Sequence, residues 1–429
     1  MPAAETRARA KRERFLSPSL ASFQAYEEPL LLTRGHMQHV WGGEGRRYLD
    51  LVGQNVSISV GHCHPVVNAA AHHQIDEMVH CTTMWMNPVA AEYAEELIGR
   101  LPEGNDWVAH FVNSGAEAVD LAMLLARMST GNTDIVSLRN SFHGTHFGAA
   151  TLSGLASCHQ PSIAAPGIVH VTAPDPYRGI HGPDAGPYLA ELDATLDSAG
   201  NGSVAGFFFE AIQGYGGVTP IDAGYLAGAA ERIRGRGGVV VADEIQTGFG
   251  RTGEAFWGFE AAGLIPDIVV LGKGIANGFP LAAVVCRRDI AESIAGRKFF
   301  NTFGSNPVSC AAGRAVLTVI DSEGLQQNSA VLGTKLLESI SRQAETSEFI
   351  GDVRGSGLLI GIDIVSSRET KEPSVTLAAA LHEGLRDEGI IVGRGGAAGN
   401  VLRVVPPMCI EESDCEHFAE ALARVATGF

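Results

Sequence analysis

The chain has 429 residues, 45% of them hydrophobic, with 48 acidic against 31 basic side chains and a formal charge of -17. That length exceeds what one hydrophobic core supports and predicts two packed units. The acidic balance argues against nucleic acid or an anionic membrane as the main partner, and no apolar run approaches the roughly 20 residues of a membrane-spanning helix.

The N-terminal "MPAAETRARAKRERFLSP" is basic but lacks the apolar block of a secretion signal. Its Glu5 and Glu13 predict a frayed, solvated helix rather than an organellar transit peptide. Next, "HVWGGEGRRYLDLVGQNVSISVG" has the turn glycines and alternation of a small antiparallel ribbon. From Trp107 onward, short apolar runs alternate with helical patterns: "WVAHFVNSG", "AEAVDLAMLLARM", "DIVSLRNSFHG", "VAGFFFEAIQG", "AGYLAGAAERIRGRG", "GVVVADE" and "PDIVVLGKG". Continuous apolar strands separated by helices predict a mostly parallel sheet covered on both faces. Further on, "SAVLGTKLLESISRQAE" reads as a helix and "GDVRGSGLLIGIDIV" as strands. "TLAAALHEGLRDEG" is a second helix, "IIVGRGG" and "NVLRVVPP" two more strands, and "EESDCEHFAEALARVA" a closing helix with acidic residues at its start.

The expected architecture is α/β, with a large domain over residues 67–314 holding the mostly parallel sheet between helices. A smaller α+β domain is expected from both chain ends, residues 1–66 and 315–429. The seven cysteines (Cys63, Cys81, Cys158, Cys286, Cys310, Cys409, Cys415) are an odd number, scattered, without a Cys-x-x-Cys pair. They read as thiols of a reducing cytoplasm, which is the location expected.

Ligands of such sheets bind beyond the carboxyl ends of the strands. Three valines and an alanine lead to Asp243 and Glu244, and the next strand ends in Lys273 between two glycines. An unpaired ammonium in an apolar setting is costly. If the two strands are neighbours, an amine and a carboxylate open onto one crevice. Ser114 followed by Glu117 has capping-box spacing for a helix starting at Gly115, and a helix N-terminus is an anion site. Together the three describe a receptor for pyridoxal phosphate. Lys273 forms a Schiff base with its aldehyde, Asp243 faces its ring nitrogen, and the helix start takes its phosphate. Lysine freed from the imine then serves as the base that moves a proton. Phe142 can lie on the ring with His143 beside it, Glu210 ends a triple-phenylalanine run that is a poor place for an unpartnered carboxylate, and Gln246 is within reach of the ring hydroxyl.

With those residues in view, "ADEIQTGFGRTG", "LGKGIANGFPLAAV" and "FNTFGSNPVSCAAG" resemble the class III pyridoxal-phosphate-dependent aminotransferases of fold type I. The likeness runs from "YLDLVGQNVSISVGHCHP" to "VGRGG…LRVVPPMCI" and so covers nearly the whole chain. Within the class, the alanine–glyoxylate aminotransferase type is the most similar, with ethanolamine-phosphate phospholyases on a neighbouring branch. The resemblance implies that Lys273 holds the cofactor, Asp243 its ring nitrogen and Gln246 its ring oxygen. It implies that Phe142 stacks on the ring, that Ser114, Gly115 and Ala116 hold the phosphate, and that Thr302 reaches the phosphate of a second subunit. A homodimer with shared sites follows, and pairing into tetramers stays open. Arg403 matches the arginine that grips a substrate carboxylate. Tyr215 stands where ornithine and γ-aminobutyrate enzymes have a glutamate that masks this arginine. Asn55 and Trp85 are expected around the pocket mouth. The implied substrates are an amino acid and a small keto acid, pyruvate or glyoxylate, used in two half-reactions. A lyase, racemase or aminomutase outcome on the same scaffold is the alternative, and a scaffold without chemistry is a third reading.

Three further patterns are set aside. His62, Cys63 and His64 lack a second ligand pair for a metal. "VGRGGAAGN" lies too near the C-terminus for a dinucleotide-binding unit, and "GKGIANG" lacks the hydroxyl residue of a phosphate loop.

Overall fold

The computed structural model describes residues 3–21, 23–158, 164–198 and 202–429. The side chain of Cys158 lies outside the described residues, and the other six cysteines are free thiols. The basic N-terminus forms helix α1 (Ala3–Phe15), whose Arg9 pairs with Glu13 one turn on.

Seven strands form the central sheet: β4 (Trp107–Val112), β5 (Ile135–Leu138), β6 (Ile168–Val171), β7 (Gly206–Phe209), β8 (Val239–Asp243), β9 (Ile268–Leu271) and β10 (Ala282–Arg287). Their order is β4-β10-β9-β8-β7-β5-β6. All run parallel except β10, which is antiparallel to both of its neighbours. Strands β5, β7, β8 and β9 are buried along their whole length, as runs without polar alternation must be when helices cover both faces. Among those helices, α2 (Gly115–Thr130) follows β4 directly, and α3 (Pro307–Ser322) begins at a proline after an Asn306 cap.

Two smaller sheets lie beside the large one. Strands β1 (Leu32–His36), β2 (His39–Gly42) and β3 (Arg47–Asp50) form an antiparallel meander, and β11 (Ile390–Ile391) joins β3 in parallel from the far end of the chain. The ribbon expected over "HVWGGEGRRYLDLVGQNVSISVG" therefore stops at Asp50. Beyond it the backbone turns into a left-handed run over Gly53–Val56, because the Asp50 carboxylate captures the amides of Val52 and Gly53. The second sheet is antiparallel, with "GDVRGSGLLIGIDIV" as a hairpin of Ile350–Ser356 and Leu359–Ser367. The latter strand pairs with Val401–Val404, which pairs in turn with Gly393–Gly395.

One buried carboxylate joins this sheet to loops of the central one. Asp363 accepts from Arg178, from Arg354 at 3.1 Å and from Asn400 Nδ2 at 2.7 Å, while Arg354 Nε donates to the Gly217 carbonyl. Among the described residues no helix is long and apolar enough to cross a membrane.

Candidate active site

Strands β8 and β9 are neighbours, with Asp243 beside Val270, so Asp243 and Lys273 emerge at the same carboxyl edge of the sheet. Asp243 is buried. Its Oδ1 accepts from the Ile245 amide at 3.1 Å, and its Oδ2 lies 2.7 Å from His143 Nδ1. Burial pulls the His143 pKa down, but its hydrogen bond and charge contact with Asp243 outweigh that, and the net shift is upward. His143 Nε2 is buried with no partner.

Lys273 opens a short 3₁₀ turn and has φ +47°, a left-handed conformation uncommon for a side-chain-bearing residue. The residue is half-buried. Even so, burial and then the nearby Arg403 charge lower its pKa to about 7, against the opposing pull of Asp243 and Glu210. The amine is thus substantially neutral near pH 7 and available as a nucleophile.

Helix α2 starts where sequence reasoning put it. Ser114 Oγ accepts from the Glu117 amide at 3.3 Å, but the Glu117 carboxylate turns to the amide of Asn113 and to Asn301 Nδ2 instead of back to Ser114. The Gly115 and Ala116 amides are first-turn groups without an intrahelical acceptor. A Cβ on Gly115 would lie 2.7 Å from Ile245 Cδ1, so only glycine lets this turn press against the segment after β8. The Asn113–Glu117–Asn301 cluster also fixes Thr302, itself exposed, next to the start of α2.

Glu210 finds its partners in backbone amides, of Phe142 at 2.9 Å and Gly214 at 3.0 Å. Burial raises its pKa to about 7; His143 opposes the rise and Asp243 adds to it. Phe142 sits 5.3 Å from the ring of Tyr215.

The other wall of the crevice belongs to Arg403, only 2% exposed. Its Nη2 donates to Gln246 Oε1 at 2.6 Å, its Nη1 to Asn55 Oδ1 at 3.4 Å, and its Nε has no partner. The guanidinium lies 5.5 Å over the Tyr215 ring, and burial lowers its pKa to about 10, which leaves it charged at neutral pH. Gln246 therefore faces Arg403, not only the place where a ring oxygen is expected. Sequence reasoning missed the purpose of "VGRGG": a Cβ on Gly395 would lie 2.9 Å from Arg403 Cδ, so the glycines make room for this side chain. A cavity of about 990 Å³ opens from Asn55, Tyr215 and Arg403 outward beneath α1. Trp85 does not line it; it is 70% exposed on a separate surface beside Met84 and Met86.

His62 and His64 face Asp50 and Glu323 respectively, and among the described residues no group of three or more His, Cys, Asp or Glu could hold a metal. A neutral-prone amine, a carboxylate backed by an imidazole and a helix N-terminus converge on one edge of the sheet. This donor set fits pyridoxal phosphate.

The family model for class-III aminotransferases matches residues 22–426. The mitochondrial alanine–glyoxylate aminotransferase 2 homolog 2 of Arabidopsis thaliana is 42% identical over 413 residues, 96% of this chain and 85% of that protein. The mitochondrial alanine–glyoxylate aminotransferase 2 of Homo sapiens is 40% identical over 436 residues, 96% of this chain and 84% of that one. A phospholyase from Arthrobacter in complex with phosphoethanolamine is 32% identical, with a TM-score of 0.90 over 98% of this chain and 99% of that chain. An amine transaminase from an uncultivated Pseudomonas species in its PLP-bound form is 29% identical, with a TM-score of 0.88 over 97% and 98%. The cytoplasmic location expected from the cysteines is corrected by these relatives, since both alanine–glyoxylate enzymes carry mitochondrial names. Unpaired thiols do not tell one reducing compartment from another.

Proposed function

The chain belongs to the class III aminotransferases, whose cofactor is pyridoxal 5'-phosphate, and from that premise we propose that it moves the amino group of an α-amino acid to a small keto acid, pyruvate or glyoxylate, in two half-reactions. When bound, the cofactor supplies an aldehyde that captures the amino group and a protonated ring that draws electrons from the neighbouring carbon. Lys273 would take the aldehyde, Ser114, Gly115 and Ala116 the phosphate, Phe142 one ring face and Gln246 the ring oxygen. Asp243, held by His143, would keep the ring nitrogen protonated. Glu210 fixes the Phe142 amide and so the height of that ring.

Lys273 Nζ then carries the proton at the substrate carbon. With a pKa of about 7 it is a base above that pH and an acid below, close to the optimum for a group that must both take and return a proton. Arg403 orients the substrate by its carboxylate.

The observation that carries this reading is the state of Arg403. Two neutral amide oxygens hold it, one buried N–H is unpaired, and position 215 is a tyrosine rather than a masking carboxylate. A charged carboxylate forms stronger hydrogen bonds than the amides it would displace.

We also propose a homodimer in which Thr302 completes the partner's site. The exposed apolar residues Met84, Trp85, Met86, Phe300 and Phe303 favour it, on segments joined by the His80–Phe303 ring contact and the Asn306–Val79 hydrogen bond.

The test is a donor-by-acceptor screen on cofactor-loaded protein. A donor should bleach the visible absorption of the bound cofactor and pyruvate or glyoxylate should restore it; no responding amino acid would overturn the proposal. The likeness to the Arthrobacter phospholyase favours one second reading, elimination. Release of ammonia and phosphate from phosphoethanolamine without any keto acid would establish it.

A further inference from the structure

Asp50 ends β3 with 0% exposure and does not line the cavity that opens from Arg403. Three of the four hydrogen bonds to its carboxylate come from one turn, and the fourth comes from His62. Oδ1 accepts from the amides of Val52 at 2.9 Å and Gly53 at 3.0 Å, and Oδ2 accepts from Gln54 Nε2 at 3.3 Å and His62 Nε2 at 2.8 Å. The turn so held has φ of +54° at Gly53, +49° at Gln54, +62° at Asn55 and +69° at Val56. Residues with side chains visit this region singly, not in succession, and a β-branched residue such as Val56 is an outlier there. Local preference cannot hold such a run, so its surroundings must.

Those surroundings are the two halves of the active site. On one side, Ser59 Oγ donates to the Gly274 carbonyl at 2.7 Å, and Asn277 accepts from the Val60 amide and donates to the Gly61 carbonyl. That ties the turn to the segment carrying Lys273. On the other side, the Val405 amide donates to the Leu51 carbonyl at 2.8 Å, and a Cβ on Gly53 would lie 3.1 Å from the Val405 carbonyl oxygen. That ties it to the strand carrying Arg403. What the turn delivers between them is Asn55, whose side-chain oxygen meets Arg403 Nη1.

We propose that Asp50 is a positioning residue for carboxylate recognition: by holding the left-handed turn it sets Asn55 against Arg403, and so aims the guanidinium at the substrate. This rests on the reading of Arg403 as the carboxylate grip. Asp50 acts through Asn55 and touches neither substrate nor cofactor. Loss of its carboxylate lets the turn relax, withdraws Asn55 and leaves Arg403 held by Gln246 alone.

The experiment uses the cofactor-loaded enzyme and propionate, a carboxylate without an amino group, titrated by calorimetry. In parallel, the affinity of the apo-protein for pyridoxal phosphate is measured for each variant. Asp50→Ala should weaken propionate about tenfold, the worth of one hydrogen bond to a charged group, with cofactor affinity unchanged. Asp50→Asn keeps an oxygen for Val52 and Gly53 and should fall between wild type and Asp50→Ala; if the alanine variant does not fold, the asparagine variant decides. Unchanged propionate affinity in the variants, or an equal loss for propionate and cofactor, overturns the proposal. Arg403→Ala separates the two failures. If wild type does not bind propionate, or Arg403→Ala binds it as well as wild type, the carboxylate-grip reading fails first.

Discussion

The floor of the crevice and its mouth are built on different principles. The floor, with Lys273, Asp243 and the start of α2, sits on two neighbouring buried strands and a helix cap, and His143 joins it from the loop after β5 through its bond to Asp243. The mouth, with Asn55, Tyr215 and Arg403, is gathered from three distant parts of the chain, and its central arginine keeps an unpaired N–H. On the proposed reading, the floor would serve one chemistry shared by every substrate. The mouth, on the same reading, would serve choice, since the bonds of Arg403 to Asn55 and Gln246 are neutral amide contacts that a carboxylate could replace.

Variants of the floor should therefore lower kcat for all donors, and variants of the mouth should change KM donor by donor. The largest effect belongs to Lys273→Ala. Steady-state turnover should fall by about 10⁴-fold with the loss of the proton-transfer base, and borohydride treatment should leave no cofactor label on the chain. A surviving label would move the attachment site and dissolve the comparison. Asp243→Asn should cost about 10²–10³ in kcat for every donor, because a neutral amide no longer holds the ring nitrogen protonated. A loss that appears in KM alone would erase the distinction from the mouth.

Arg403→Lys should raise KM for α-amino acids about tenfold or more while kcat changes less, since a point charge does not reproduce the planar fork. Equal falls in kcat and kcat/KM would place Arg403 functionally on the floor. A graded effect is that of pH on cofactor uptake. The Lys273 pKa is lowered, from 10.5 to about 7, so its neutral form grows as pH rises through 7. The rate at which apo-protein takes up pyridoxal phosphate should fall about tenfold per pH unit below 7 and level off above it, read by stopped-flow absorbance. A rise continuing toward pH 10 would mean an unperturbed lysine.

The same division governs what could be read from the amino-acid sequence. Asp243 and Lys273 end short, β-branched apolar runs that read as buried strands, and the pattern left open whether those strands are neighbours, which the pairing of β8 with β9 supplies. Ser114 announced the helix start by its spacing to Glu117. The mouth gave no comparable signal. Alternation in "LVGQNVSISVG" points to a strand, but the buried Asp50 carboxylate overrides it by capturing two backbone amides. The pairing of Gln246 with Arg403 crosses 157 positions and has no periodicity to betray it. The glycines of "VGRGG" show their purpose only once Arg403 lies across them. Trp85 belongs by type to a pocket lining, yet it stands on an exposed apolar surface, which a single chain's pattern does not distinguish.

Asp363 has a thermal and mechanical corollary. Arg178, in the loop after β6, and Arg354, in the second sheet itself, both grip it, and pulling Arg178 away would leave a desolvated charge short of one partner, a penalty of up to about 3–5 kcal/mol. Swinging one sheet away from the other would incur the same penalty. Heating should accordingly melt both in a single calorimetric peak, and adaptation to a new donor has to come from exchanging side chains rather than from breathing.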